Sequence, residues 1–457
     1  MYEWDCIIVG AGILGASLAT VFGRQKRKTL LLERDISEPD RIVGELLQPG
    51  GIKALETLGI EDTIEGIDAV QVKGYQLLWN NKSISIPYTN KKLSYHKHIS
   101  YQGRSFHHGR FVMKLRQHAV ANESVTMIES TVLSVIENPL TQQVLGVKTF
   151  VKATQQYEHY FAPLVVIADG CFSRFRKQFI SKPVTVKSNF VGLILENVTL
   201  PMPLYGHVIL SNYSPILMYQ LSTHHTRILI DIPGKLPSST TGQLKKYLKE
   251  VITPILPENI QPSFTKALNN QKIRSMPNCF LPPSLNTKPG LIILGDAMNM
   301  RHPLTGGGMT VALNDVLLLS DLLSPSSVPS FRDTDLVLHQ MFLFHWKRKK
   351  LSAVINILAQ SLYFLFSPTD TYLNILQKGC FQYFQLGGIA INDPISLLSG
   401  INHQPLLLFF HFFAVVFYSI YLTILSSFNI FNIFSGLIVF FRACEVIFPY
   451  IWSELIH

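Results

Sequence analysis

Residues 5–33 read DCIIVGAGILGASLATVFGRQKRKTLLLE. Asp5 to Val9 is an apolar run of buried-strand type, followed at once by Gly10-x-Gly12-x-x-Gly15. Ala16 to Arg24 continues with a helical pattern, and Thr29 to Leu32 forms a second strand that ends in Glu33. Glycines at this spacing permit a tight turn, close approach of a pyrophosphate to bare backbone, and close packing of helix on strand. An acidic residue about twenty positions on takes a ribose hydroxyl. The nucleotide-contacting candidates are Gly10, Gly12, Ile13, Leu14, Gly15 and Glu33, with Arg34 beside them. A glycine-bearing βαβ unit without a ligand is the other reading of this stretch taken alone.

Two later stretches select the nucleotide. Leu164 to Ala168 is another buried strand, ending in Asp169-Gly170 with Ser173, Arg174 and Arg176 just beyond. Leu291 to Leu294 is a third, followed by GDAMNMRHPLTGGGM over Gly295 to Met309 and a helical pattern over Thr310 to Leu319. Glycines at a helix start bring a ligand against unpaired N–H groups and a partial positive charge. The order GxGxxG, ADG-x-x-S-x-x-R, GD resembles the FAD-dependent hydroxylases and monooxygenases. The resemblance implies FAD, with Glu33 on a ribose, Asp169 bracing the cofactor region, Asp296 on the ribitol, and the backbone through Gly307, Gly308 and Met309 facing the flavin ring.

Longer matches narrow the resemblance. DRIVGELLQPGG (Asp40–Gly51), FHHGRF (Phe106–Phe111), NMRHPLTGGGMT (Asn299–Thr310), Leu386-Gly387-Gly388 and HFFAV (His411–Val415) are similar to the squalene monooxygenase (squalene epoxidase) family, from about Asp5 to the C-terminus. That likeness implies a catalytic pair, Tyr75 facing substrate near the flavin with Gln48 close to it, and a cofactor contact from Arg110. It implies squalene and O2 as substrates, a C4a-hydroperoxide on reduced FAD as oxygen donor, and 2,3-oxidosqualene as product. Only one GxGxxG occurs, so no second Rossmann domain serves NADPH. The family's electron donor is NADPH–cytochrome P450 reductase. An FAD-dependent reductase or hydroxylase on another isoprenoid lipid, and a non-catalytic lipid escort, are the alternatives.

Other candidates rest on residue chemistry. Arg41 can bind FAD phosphates bidentately; a salt bridge with Glu38 or Asp40 is its alternative. Val132 lies on a strand that in this fold meets the adenine through its backbone. Tyr75 also reads as a half-buried strand tyrosine. GxSxG, HExxH and P-loop patterns are absent, and the four tryptophans are isolated, unlike the pair of flavin halogenases.

Composition bounds the setting. The 457 residues are 47% hydrophobic and 15% charged, with a formal charge of +10. Such a surface suits anionic lipid or an acidic protein partner. No basic helix or aromatic–basic stacking pattern points to nucleic acid. Five scattered cysteines, never paired as CxxC, suggest neither a disulfide framework nor a metal site. The first strand begins almost at Met1, leaving no room for a signal peptide.

The pattern predicts an α/β fold: a Rossmann-type FAD-binding domain, an inserted, mostly antiparallel substrate sheet, and a helical C-terminal membrane anchor. The parts are 1–70, 103–180 and 285–335 for the FAD domain, 71–102 and 181–284 for the substrate sheet, 336–400 for helices beside the pocket, and 401–457 for the anchor. A loop is expected over Asn90–Gln102 and a helix over Leu244–Ile252, stopping before Pro254. The run Lys347-Arg348-Lys349-Lys350 reads as a solvated face or a lipid-headgroup contact. Leu406–Leu425 is long enough to span a bilayer, whereas Ile430–Phe441 is too short before Arg442 interrupts it. An embedded hairpin, a true crossing and a buried helical cap all remain open. The family resemblance favours monotopic anchoring on the endoplasmic reticulum membrane, with the body facing the cytosol; lipid droplets are a second location.

Overall fold

A computed structural model describes residues 3–456 except 81, 89, 95, 96, 212 and 427–429. Its first sheet has seven strands, ordered Gln156–Phe161, Val144–Val151, Val125–Glu137, Thr29–Glu33, Cys6–Val9, Leu164–Ile167, Leu291–Ile293. The last five are mutually parallel, and all three motif strands end at the same sheet edge: Val9 is level with Leu32 and Ile167, and Ile167 with Ile293. The apolar runs are continuous because both faces of the parallel strands are buried: the helix Ile13–Arg24 packs on them, and the strand Val144–Val151 folds back over Leu164–Ile167. The carboxyl ends of parallel strands are where a ligand crevice forms in such sheets.

The second sheet also has seven strands: Arg274–Phe280, Thr185–Glu196, His225–Pro233, Ile216–Gln220, Tyr205–Leu210, Gly74–Trp79 and Lys82–Pro87. It is antiparallel except where Tyr205–Leu210 runs parallel to Gly74–Trp79. Its strands carry apolar side chains on both faces. Val191, Ile228 and Ile230 pack under the helices Gln243–Tyr247 and Gln261–Asn270. Phe190, Leu217, Tyr219 and Leu229 join a core shared with the C-terminal helices.

Four local expectations change. Asn90–Ser94 and Lys97–Ser100 pair as a hairpin instead of a loop. The helix from Gln243 passes through a π-turn over Leu248–Ile252 and a 3-10 turn over Thr253–Ile255, because Pro254 is tolerated in the first turn of a new segment. The basic run divides: Arg348 is buried in an ion pair while Lys347 and Lys350 are exposed. The last apolar segment does not end at Arg442, since one helix runs from Ile430 to Ile456. Arg442 Nη2 pairs with Asp370 at 2.6 Å and its Nη1 with Glu445, so its charge is met from the side. The windows Pro405–Leu425 and Phe434–Ile456, with mean hydropathy 2.1 and 1.6, are both long and apolar enough to cross a membrane.

Candidate active site

A cavity of about 600 Å³ runs from the carboxyl ends of the parallel strands to the second sheet. At its first end the glycines divide their work. Gly10 takes φ +102°, and a Cβ there would lie 2.5 Å from the Ala168 carbonyl oxygen. A Cβ on Gly15 would meet the Gly10 carbonyl oxygen at 1.9 Å, so only glycine lets this helix sit so close to its strand. Gly12 has nothing within 4 Å of that position and is open to the cavity. The helix Ile13–Arg24 has no side-chain cap, which leaves first-turn N–H groups for a ligand.

Glu33 Oε2 accepts the Ala11 N–H at 2.8 Å and lies 3.5 Å from Arg116 Nη2. Arg116 Nε donates to the Ala11 carbonyl at 2.9 Å and Nη1 to the Ser37 carbonyl at 3.1 Å. This buried arginine, which lines the cavity, was not singled out from the sequence. Nothing local separates it from its neighbours on the helix His108–Val120. Arg110 instead donates to the Ile67 carbonyl at 3.2 Å, sits 4.0 Å from Asp68, and does not line the cavity. Arg34, Arg41 and Val132 do line it. Asp40 pairs with Arg274 at 2.6 Å and not with Arg41.

The two aspartate motifs are tied by Arg176. Its guanidinium donates to the carbonyls of Ala297 (2.8 Å), Asp296 (2.8 Å), Cys171 (2.9 Å) and Gly170 (3.1 Å). Asp169 Oδ2 accepts the Arg174 N–H at 3.0 Å, while Oδ1 is buried without a hydrogen-bond partner among the described residues. Burial pushes the Asp169 carboxyl above the usual range, against hydrogen bonds that lower it. Asp296 is exposed on the cavity wall. Gly308 and Met309 line the cavity at the uncapped start of the helix Gly308–Leu322. Gly307 does not; its Cβ position lies 2.5 Å from Ile355. These features fit a dinucleotide: open cradles at Gly12 and Gly308, two uncapped helix starts, and an orphaned carboxylate oxygen.

At the far end Gln48 is fully buried. Its Nε2 donates to the Thr305 carbonyl at 2.6 Å and to the Tyr75 hydroxyl oxygen at 2.5 Å, and its Oε1 accepts from Tyr88 at 2.6 Å. A carbonyl can only accept, so Thr305 fixes which way the amide points. Tyr75 therefore accepts from Gln48 and keeps its own proton to donate elsewhere. Tyr75 lines the cavity, and burial raises the pKa values of both hydroxyls, keeping them protonated. Leu46, Leu217, Leu229 and Leu304 make this end apolar.

Glu45, in the same stretch as Gln48, forms a buried bidentate pair with Arg227, Oε2 to Nε at 2.8 Å and Oε1 to Nη2 at 2.7 Å. Tyr219 adds a hydrogen bond at 3.2 Å. This pair ties the Glu45–Gln48 stretch to the second sheet. It too escapes sequence reading, because its partners are joined only by the fold.

A model of the family described as Squalene epoxidase matches residues 161–437. Squalene epoxidase erg1 of Aspergillus fumigatus is 50% identical over 456 residues, covering 98% of this chain and 93% of that protein. The chain belongs to the squalene epoxidase family. It is an enzyme of that family. Squalene epoxidase erg1 of Schizosaccharomyces pombe is 48% identical over 99% of this chain and 98% of its own length. Squalene monooxygenase of Mus musculus is 44% identical over 99% of this chain and 78% of its own length. Among solved structures, the p-nitrophenol 4-monooxygenase PnpA of Pseudomonas putida aligns with TM-score 0.72 at 14% identity, over 88% of this chain and all of that one (100%). PqsL of Pseudomonas aeruginosa, a probable FAD-dependent monooxygenase, aligns with TM-score 0.65 at 17% identity, over 80% and 97%. At such identities these two carry the fold alone: that of FAD-dependent monooxygenases, to which the described residues of this chain add two apolar C-terminal helices.

Proposed function

We propose that the chain epoxidises squalene to 2,3-oxidosqualene in sterol biosynthesis. One atom of O2 enters the terminal alkene and the other leaves as water, with two electrons drawn from NADPH through cytochrome P450 reductase. The observation that carries this reading is the placement of a Gln48-oriented Tyr75 between a dinucleotide cradle and an apolar sheet face, in a chain of this family.

FAD, when bound, supplies the activation of O2. Gly10, Gly12, Ile13, Leu14, Glu33, Arg34, Arg41 and Val132 would hold its ADP half. Asp296 would take the ribitol, and the backbone at Gly308 and Met309 the ring edge. Gly15 and Gly307 act at one remove, by letting helices approach; Asp169 would hold its own turn through the Arg174 N–H, and Arg176 ties that turn to the Asp296 loop. Tyr75 would donate its free proton toward the reacting region, held there by Gln48. The leucines around it exclude water, which protects reactive oxygen species from side reactions. Squalene offers no polar handle, so its recognition rests on shape and apolar burial.

The apolar tail would place the body on a bilayer, the endoplasmic reticulum with the body in the cytosol. A basic surface there favours an acidic reductase partner. The test is a product assay with purified protein, FAD, NADPH, P450 reductase and detergent-dispersed squalene. Oxidosqualene formed in step with O2 uptake is expected. Bound FAD with peroxide and no epoxide would move the substrate to another isoprenoid lipid. A folded protein without flavin would overturn the reading.

A further inference from the structure

A buried polar cluster joins the last apolar helix to the wall of the cofactor cavity. Glu454 is only 5% exposed, near the end of the helix Ile430–Ile456. Its Oε1 accepts a hydrogen bond from Asn356 Nδ2 at 2.7 Å, on the long helix Thr334–Phe366, while Oε2 is buried with no partner among the described residues. Asn356 Nδ2 also lies 3.2 Å from Asn299 Oδ1, which accepts from Arg301 Nη2 at 2.8 Å. Arg301 is buried and lines the cavity. Lys349 Nζ donates to the Glu454 backbone carbonyl at 2.7 Å.

The charges in this cluster balance in a telling way. Asp315 is taken up by Arg348, Oδ1 to Nε at 2.9 Å and Oδ2 to Nη2 at 2.8 Å. Arg301 is opposed by Asp296 on the cavity wall, by Asp315 and, from the tail side, by Glu454, which itself lies in the fields of Arg348, Lys349 and Arg301. A carboxylate that served only to end a membrane-facing helix would sit in water or among headgroups. Burying one without partners is costly, so its place here depends on the cluster it enters.

We infer that Glu454 is a positioning residue, which couples the seating of the last apolar helix to the Asn299–Arg301 segment of the cofactor cavity. This inference rests on the FAD reading above. Because coupling between two sites is reciprocal, FAD binding also tightens the seating of the tail.

The test uses the full chain in detergent micelles, as wild type, Glu454→Gln and Glu454→Leu. FAD affinity is read by titrating flavin-stripped protein, and tail seating by the rate of proteinase K cleavage within the last helix. Glu454→Gln keeps an acceptor for Asn356 but removes the charge, and should weaken FAD binding a few-fold with the tail still seated. Glu454→Leu should weaken it at least about fivefold and abolish the protection that FAD gives the wild-type tail. If Glu454→Leu does not fold, Glu454→Gln alone decides on FAD affinity. Wild-type affinity in the variants that fold, together with a wild-type cleavage rate that FAD does not change, overturns the coupling. A wild-type chain that binds no FAD at all overturns the functional reading itself, and this inference with it.

Discussion

Two glycine-rich strand-to-helix turns flank the same cavity, and they are braced in opposite ways. The first is held within the parallel sheet: Gly15 fits against the Gly10 carbonyl, and Gly10 against Ala168, just past the neighbouring strand Leu164–Ile167. The second is held by distant chain. Gly307 fits against Ile355 of the long helix, and the Thr305 carbonyl receives Gln48. Gly50, beside Gln48, in turn fits against the Gly400 carbonyl, 2.4 Å from its Cβ position. The nucleotide end is thus a module, whereas the end where the chemistry is proposed is an assembly of separate regions. A module tolerates damage elsewhere; an assembly transmits it.

The largest expected effect comes from cutting the assembly at its buried ion pair. Arg227→Met leaves Glu45 buried and uncompensated, and should lower stability by about 3 to 5 kcal/mol in urea denaturation. Replacing both partners, Glu45→Met with Arg227→Met, should restore most of it. A single variant within about 1 kcal/mol of wild type would contradict the picture of an interdependent second end. At the module, Gly15→Ala forces helix from strand and should remove about 3 kcal/mol. Gly12→Ala should leave stability unchanged, since its Cβ position is free, but weaken FAD retention because the methyl enters the cradle.

Acid should act on the assembled end. His108 Nδ1 lies 2.9 Å from the Gly44 carbonyl, so Nδ1 carries the proton of a neutral ring. Burial, with help from the Arg41 charge, pushes its pKa down to about 4 from an ordinary value near 6.5. Between those values the unfolded chain binds a proton that the folded chain refuses. Stability is therefore lost as pH falls through that window, by about 2 kcal/mol at pH 5 from this residue. His108→Gln should flatten the dependence of the denaturation midpoint on pH between 7 and 5. An unchanged slope would remove His108 from the account.

The same contrast explains what was legible in the sequence. Motif strands, glycine turns and the α/β architecture are set by neighbours in the chain, and periodicity exposes them. The second sheet was legible from alternation, although both of its faces are covered. Arg116, the Glu45–Arg227 pair and Tyr88 were not, because each matters through a partner brought in by tertiary structure. Arg110 and Arg116 share one helix, and only packing decides that Arg116 reaches Glu33. The last helix was cut short at Arg442 because the sequence does not show Asp370 waiting for it.

A smaller effect is expected at Gln48, and it falls on rate. Gln48→Leu leaves the hydroxyls of Tyr75 and Tyr88 and the Thr305 carbonyl without their shared partner. Losing such a network corresponds to about 1 to 3 kcal/mol. Turnover should fall about tenfold or more with FAD affinity kept, since Gln48 does not line the cavity. Tyr75→Phe should match it if Gln48 acts by orienting Tyr75. A slower Gln48 variant beside an unaffected Tyr75→Phe would separate the two.

The smallest effect concerns where the tail lies. Arg442 pairs with Asp370 and Glu445, and its side chain is 41% exposed in the protein alone. In water such a pair contributes about 0 to 1 kcal/mol, and salt screens it. If the last helix lies at the bilayer surface, Arg442→Leu should shift the midpoint by less than about 1 kcal/mol, and added salt should erase the difference. If Arg442 sits within hydrocarbon, Asp370 would lose its partner where water cannot replace it, and the loss should exceed about 2 kcal/mol and persist at high salt. Comparing the two proteins in nanodiscs at low and high salt therefore distinguishes a helix lying on the membrane from one crossing it, which length and hydropathy do not.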